Sequence, residues 1–209
     1  MGWMMVTSLL IAQAGNQSQV LDRIAVTVGK TVITEGEVLT NLKVASFLDQ
    51  KEPDLSAASK KAAASRLVDQ ILLRREVPAN GNIGDVSVVI ADLKKRYSSE
   101  AEYYKALEHY AISEQDVIDQ LQNGLESVDA SNRRFRSEVQ VTDEQVHERY
   151  TILAKQLRAK GTPSVPTEEA SHDQIQELLI DQGVSEALER WLEMMRAQSA
   201  IVYREAAFK

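Results

Sequence analysis

The sequence contains no cysteine, which excludes disulfide scaffolds, thiolate-ligated zinc, iron–sulfur clusters and thiol nucleophiles together. Histidine is nearly as scarce. His109, His147 and His172 are the three present, and none has a partner histidine or carboxylate at the spacing of an H-E-x-x-H motif. No G-x-S-x-G, Walker or G-x-G-x-x-G segment occurs, so the common hydrolase, nucleotide and dinucleotide signals are missing. Neither catalytic residues, a metal nor a cofactor is assigned. Proline and glycine are few, 4 and 9 respectively, and no repeat of 20–50 residues is visible.

Positive charge is also in short supply. The 24 Lys+Arg are outnumbered by 31 Asp+Glu, giving a net charge of −7. Duplex nucleic acid is bound chiefly by neutralising phosphate with cations, so nucleic acid is a poor partner for this chain. Local basic runs, Lys94-Lys95-Arg96 and Arg133-Arg134 with Arg136, read as solvated helix faces.

No charged side chain precedes Asp22. Met4 to Ala12 is an apolar stretch of signal-peptide length, too short to span a bilayer, and Ala12-Gln13-Ala14 supplies a small-x-small cleavage pattern. Residues 1–14 therefore read as a signal peptide, although no Lys or Arg precedes the apolar run. Residues 15–21 read as a flexible polar start. The expected location is periplasmic or otherwise exported, with no stable membrane insertion after cleavage.

What the rest of the chain does contain is helical punctuation. Ile24–Val28 and Thr31–Ile33 alternate around Gly29-Lys30, as a two-residue hairpin requires. Thr34-x-x-Glu37, Ser99-x-x-Glu102 and Thr142-x-x-Gln145 are capping boxes, Ser56 and Ser113 open further helices, and Asn82 with Asp85 can cap another. The first helix carries Val38, Leu39, Leu42, Ala45 and Leu48 on one face. The second carries Ala64, Leu67, Val68 and Ile71, and a later long helix has the seam Ile118, Leu121, Leu125, Val128 and Phe135. Val139–Val141 reads as briefly extended, and residues 160–167, with one glycine and two prolines, as a linker.

The last helix, from about Glu168, changes its apolar face near Gly183 and so needs two partners. Ala200–Tyr203 then reads as a strand able to join the N-terminal hairpin. The expected fold is mainly α with a small sheet, forming one domain over residues 22–205.

Asp22-Arg-Ile-Ala-Val-Thr-Val-Gly-Lys-Thr-Val-Ile-Thr34, followed by a Glu-Val helix, resembles the opening of the SurA family of periplasmic chaperones. The likeness continues through Arg66–Leu73, Ala91–Tyr97, Glu102–Leu107 with Ile112–Asp116, Val141–Val146, Val184–Leu192 and Ile201–Tyr203. It is carried by the order of several short segments over roughly residues 22–159 and 175–205. Isomerase members of that family carry parvulin domains between those two parts. Here only the linker and the start of the last helix stand there, and Ala170-Ser171-His172 is a chance likeness to a parvulin strand. The resemblance implies a helical chaperone module, completed by its own C-terminal helix and strand, that holds unfolded or extended polypeptide segments without a cofactor.

Val44 and Phe47, Tyr103 or Tyr104, and Met194 beside Met195 are candidates to line an apolar groove, since they lie off the core stripes; each could instead pack on a neighbouring helix. Residual prolyl isomerase activity, a dedicated partner, or self-association are the competing expectations.

Overall fold

The computed structural model describes residues 22–77, 85–161 and 164–209. The expectations for residues 1–21, and the proposed cap at Asn82, lie outside them. Strand β1 (Ile24–Val28) turns at Gly29-Lys30 into β2 (Thr31–Thr34), with Gly29 at a φ of 57° that a side chain would strain. A bulge between Ile24 and Val26 lets two successive residues, Ala25 and Val26, both face inward. Helix α1 (Glu35–Leu48) starts at the Thr34–Glu37 capping box, and α2 (Ala57–Glu76) at Ser56.

Helix α3 (Val86–Lys94) is capped by Asp85, whose side chain accepts from the Ser87 amide. Helix α4 (Glu100–Tyr110) uses Ser99 as its cap. Only half of that expected capping box forms, because the Glu102 carboxylate instead accepts from the Ser98 hydroxyl. Helix α5 (Glu114–Phe135) has a full box between Ser113 and Asp116, and α6 (Asp143–Ala159) one between Thr142 and Gln145. Residues 139–141, expected to be extended, form no strand. The longest element, α7 (Glu168–Gln198), ends the helical series and leads into β3 (Ile201–Tyr203). The fold is thus mainly helical with a small antiparallel sheet, as the sequence suggested.

The sheet order is β2-β1-β3, with β3 antiparallel to β1 in the register Val28↔Ile201. The first strand is therefore central and complete only when the last one has arrived. Past β3 a short 3-10 turn (Glu205–Phe208) folds back and buries Ala207 and Phe208. The folded unit accordingly extends beyond the residue-205 boundary expected from sequence. An aromatic side chain five residues past the last strand carries no periodicity, so only the tertiary fold reveals its use.

Two apolar cores result. The first gathers Val26, Val28 and Ile33 from the sheet, Val38 and Leu42 from α1, Ala64, Val68 and Leu72 from α2, Leu192 from α7, and Phe208. The second joins Val44 and Phe47 from α1 to Ile90, Leu93, Tyr103, Leu107 and Val117 from α3, α4 and α5. Helix α1 belongs to both, since its N-terminal half faces one and its C-terminal half the other.

Helix α7 is about 46 Å long at 1.5 Å per residue, too long to be covered by one neighbour. Its C-terminal half packs Leu188, Trp191 and Met195 on the first core, tied to α2 by the Arg196 guanidinium donating to both Asp69 oxygens. Further toward its N-terminus it meets α6 and the chain before it. A Cβ at Gly183 would stand 2.5 Å from Val139 Cγ1, so the face switch is placed where the helix has no side chain. The α5 seam holds only in part, because Val128 is 59% exposed where the helix leaves the second core.

Candidate functional site

Val44, Phe47 and Tyr103 are each 0% exposed, which corrects their assignment to a groove surface. For Val44 and Phe47 the reason is the double allegiance of α1, and Tyr103 of α4 packs into the same second core. Residues opposite Val38 and Leu42 face not solvent but the second core. There the Phe47 ring meets Tyr97, Tyr103 and Tyr110 at centroid distances of 6.2, 6.0 and 5.5 Å. Such offset and edge-to-face contacts add about 0.5–1.5 kcal/mol per pair beyond burial.

Tyr104 is partly exposed, but its hydroxyl donates to Glu114 Oε2 at 2.9 Å and Lys94 Nζ stands 5.5 Å from its ring. Glu114 also pairs with Lys94 at 2.8 Å, and these two hydrogen bonds hold its carboxyl below the usual range. Met195 is half-buried against the first core beside Trp191, whereas Met194 is 48% exposed. The six candidates therefore do not share a surface: three belong to the second core, and Met195 to the first.

The apolar hollow lies elsewhere, between α6 and α7. A space of about 510 Å³ is lined by Tyr150, Leu153, Ala154 and Leu157 of α6, Ile175 and Leu178 of α7, and Val165 and Pro166 of the segment joining them. Ala154 and Ile175 form its buried floor, while Leu157 and Leu178 stand at its exposed rim. The α6 contribution follows the spacing i, i+3, i+4, i+7, a stripe that could have been read from the sequence. What could not be read is that the segment after α6 runs back over it. Tyr150 Oη donates to the Pro166 carbonyl at 3.0 Å and holds that segment as a third wall.

Polar contacts at the surface also tie α7 to α6 and to the chain just before it. His147 Nδ1 lies 2.9 Å from Glu168, and Arg136 Nη2 lies 2.6 Å from Glu177. The Arg136 pair raises the guanidinium pKa and lowers that of Glu177. Both contacts lie at the surface, where solvent screening leaves them little weight in stability. His172 sits in the first turns of α7, 3.6 Å from Asp143. Ala170-Ser171-His172 is therefore helical here, and opens no strand.

A second hollow of about 540 Å³ lies between α1, α2 and α5, but it suits water rather than an apolar ligand. Its walls carry Asp22, Asn41, Arg74, Asp116 and Asn123. Their polar groups are already committed: Asp22 accepts from the Gly36 amide, Asp116 caps α5, and Arg74 donates to Asn123.

Among the described residues no group of three or more His, Asp or Glu is placed to hold a metal ion, and no helix is long and apolar enough to cross a membrane. The chain matches no protein-family model and no curated protein.

Proposed function

We propose that this chain is an ATP-independent holdase of the SurA chaperone-module type, sheltering unfolded exported or outer-membrane polypeptides in the groove between α6 and α7. The observation that carries this reading is the open apolar hollow walled by Leu153, Leu157, Ile175 and Leu178. Holding needs only apolar surface that an unfolded chain prefers to water, so mass action rather than nucleotide turnover keeps the client from aggregating. The wrap of β3 and α7 back onto the first hairpin, and the ordered resemblance to SurA, also support it.

Aggregation of a urea-diluted outer-membrane protein, followed by light scattering, tests the proposal. The chain at a few-fold excess is expected to suppress the signal, and Leu157→Glu with Leu178→Glu to abolish the suppression without lowering the melting temperature. No suppression by the parent chain, or full suppression by the double variant, would overturn it.

A second reading, an adaptor for one dedicated partner or a second copy, is favoured by the outer face of the sheet. Val32 and Val202 flank Thr27 there, at 43% and 45% exposure. A light-scattering mass that rises with concentration would support self-association. Prolyl isomerase activity has no comparable support: a protease-coupled proline-peptide assay is expected to show none, and catalysis lost in His172→Ala would reverse that.

A further inference from the structure

We propose that the C-terminal half of α6 is a docking surface for an anionic lipid bilayer, its cations meeting the head groups while Ile152 enters the interface beside them. The contact is peripheral, goes beyond the holding function and does not depend on it. Residues 149–167 contain no Asp or Glu, yet Arg149, Lys155, Arg158 and Lys160 place four cations there, in a chain of net charge −7. Apart from the uncharged first 21 residues, no acid-free stretch of the sequence is as long.

The charge is segregated along the helix. Asp143, Glu144 and Glu148 occupy the first two turns of α6, and every charged residue beyond them in that helix is positive. Glu148 lies about 10 Å along the axis from Lys155. That exceeds the Debye length of about 8 Å at physiological ionic strength, so a surface touching the far end feels the cations and little of the acids. On α7, Glu169 and Asp173 fall on the side away from Ile175, which lines the hollow with Ala154 of α6. The body of α7 therefore stands between those acids and α6. Arg158 and Lys160 also suit the negative end of the helix dipole. That effect fades within the last turn, and accounts for neither Lys155 nor the lack of acid through residue 167.

The outer side of α6 is open. Among the described elements, α7 is the one packed closely against it. Ile152, Lys155 and Ala159 follow at i, i+3 and i+7 on the side opposite buried Val146 and Ala154, with Arg158 at its edge. All four are exposed, Ile152 by 49%. An aliphatic side chain among cations suits a lipid interface, where apolar groups sink below the head groups and Lys and Arg stems reach back to phosphate. Charge complementarity alone would fit any polyanion; the exposed Ile152 beside Lys155 favours lipid.

Sedimentation of the full chain with sucrose-loaded vesicles tests the proposal. Vesicles of phosphatidylglycerol and phosphatidylcholine in equal parts are compared with phosphatidylcholine alone. The chain is expected to bind only the anionic vesicles at about 0.1 M NaCl, and to leave them at about 0.5 M. Each Lys or Arg near an anionic surface tightens binding about fivefold, so Lys155→Gln with Arg158→Gln and Lys160→Gln should weaken it about 100-fold. Lys30→Gln with Arg96→Gln and Lys105→Gln makes the same change in net charge elsewhere, and should stay within about threefold of the parent. Ile152→Ser is expected to cost about threefold. Every substituted residue is exposed, so an unchanged circular dichroism spectrum and melting temperature serve as the folding control.

No binding of the parent chain to anionic vesicles, equal binding to both vesicle types, or equal losses in the two triple variants would each overturn the proposal. Tighter binding to soluble polyglutamate than to anionic vesicles at the same charge concentration would assign the surface to an acidic protein instead. The holding function is read separately, from aggregation suppression in solution without vesicles.

Discussion

Tyr103 has its ring in the middle of the second core and its hydroxyl buried there without a hydrogen-bond partner. A stranded polar atom costs the fold about 1–3 kcal/mol in lost solvation, partly offset by ring packing. Tyr103→Phe is therefore expected to be neutral or to stabilise the chain by about 1 kcal/mol in urea unfolding; a loss of that size would show that the hydroxyl has a partner. Burial also pushes the Tyr103 phenol up to about 12, so the folded state keeps a proton that the unfolded chain releases near 10. Stability from this group is complete below pH 10 and declines as pH rises through 12. Alkaline unfolding followed by circular dichroism should show that decline, and Tyr103→Phe should flatten it. Glu114 works in the opposite direction. Its carboxyl is held below 4.5 by Lys94 and Tyr104, so its contribution is present above that pH and fades as acid protonates it. All the chemistry at this scale comes from contacts between helices, which explains why Tyr103 and Phe47 looked like surface candidates in the sequence.

Gly183 shows how one missing side chain fixes the path of a whole helix. In an exposed helix interior, glycine-to-alanine substitution stabilises by about 1 kcal/mol. Here the added Cβ would meet Val139 Cγ1 at 2.5 Å, and neither the branched valine nor the helix backbone yields cheaply. Gly183→Ala is expected to cost about 1–3 kcal/mol in thermal or urea unfolding. Val139→Ala in the same chain should recover most of that, because it removes the opposing methyls and leaves only the helix gain. Additivity of the two substitutions would sink this account. The helix starts were legible element by element: Thr34, Ser56, Ser99, Ser113 and Thr142 all cap where their hydroxyls implied. The faces were less so. The α1 periodicity implies one apolar face with a back, whereas the helix serves two cores at different heights, which a single 3.6-residue period cannot distinguish.

For the molecule as a whole, the decisive feature is closure of the first hairpin by the last residues. Phe208 is 2% exposed in the core that β1 and α2 also build, so the C-terminus is an internal component. Phe208→Ala is expected to lose about 3–5 kcal/mol, read as a lowered urea midpoint with an unchanged slope. A loss below about 1 kcal/mol would mean that the terminal turn is dispensable. The sequence by itself determined the helical class, the hairpin at Gly29, the caps and the return strand, because each depends on residues within a few positions of one another. Tertiary structure alone decided which apolar faces are core, that Phe208 completes one of them, and that a groove stays open between α6 and α7. Those outcomes depend on which helix lies against which, and 3.6-residue periodicity states that a face is apolar without naming its partner.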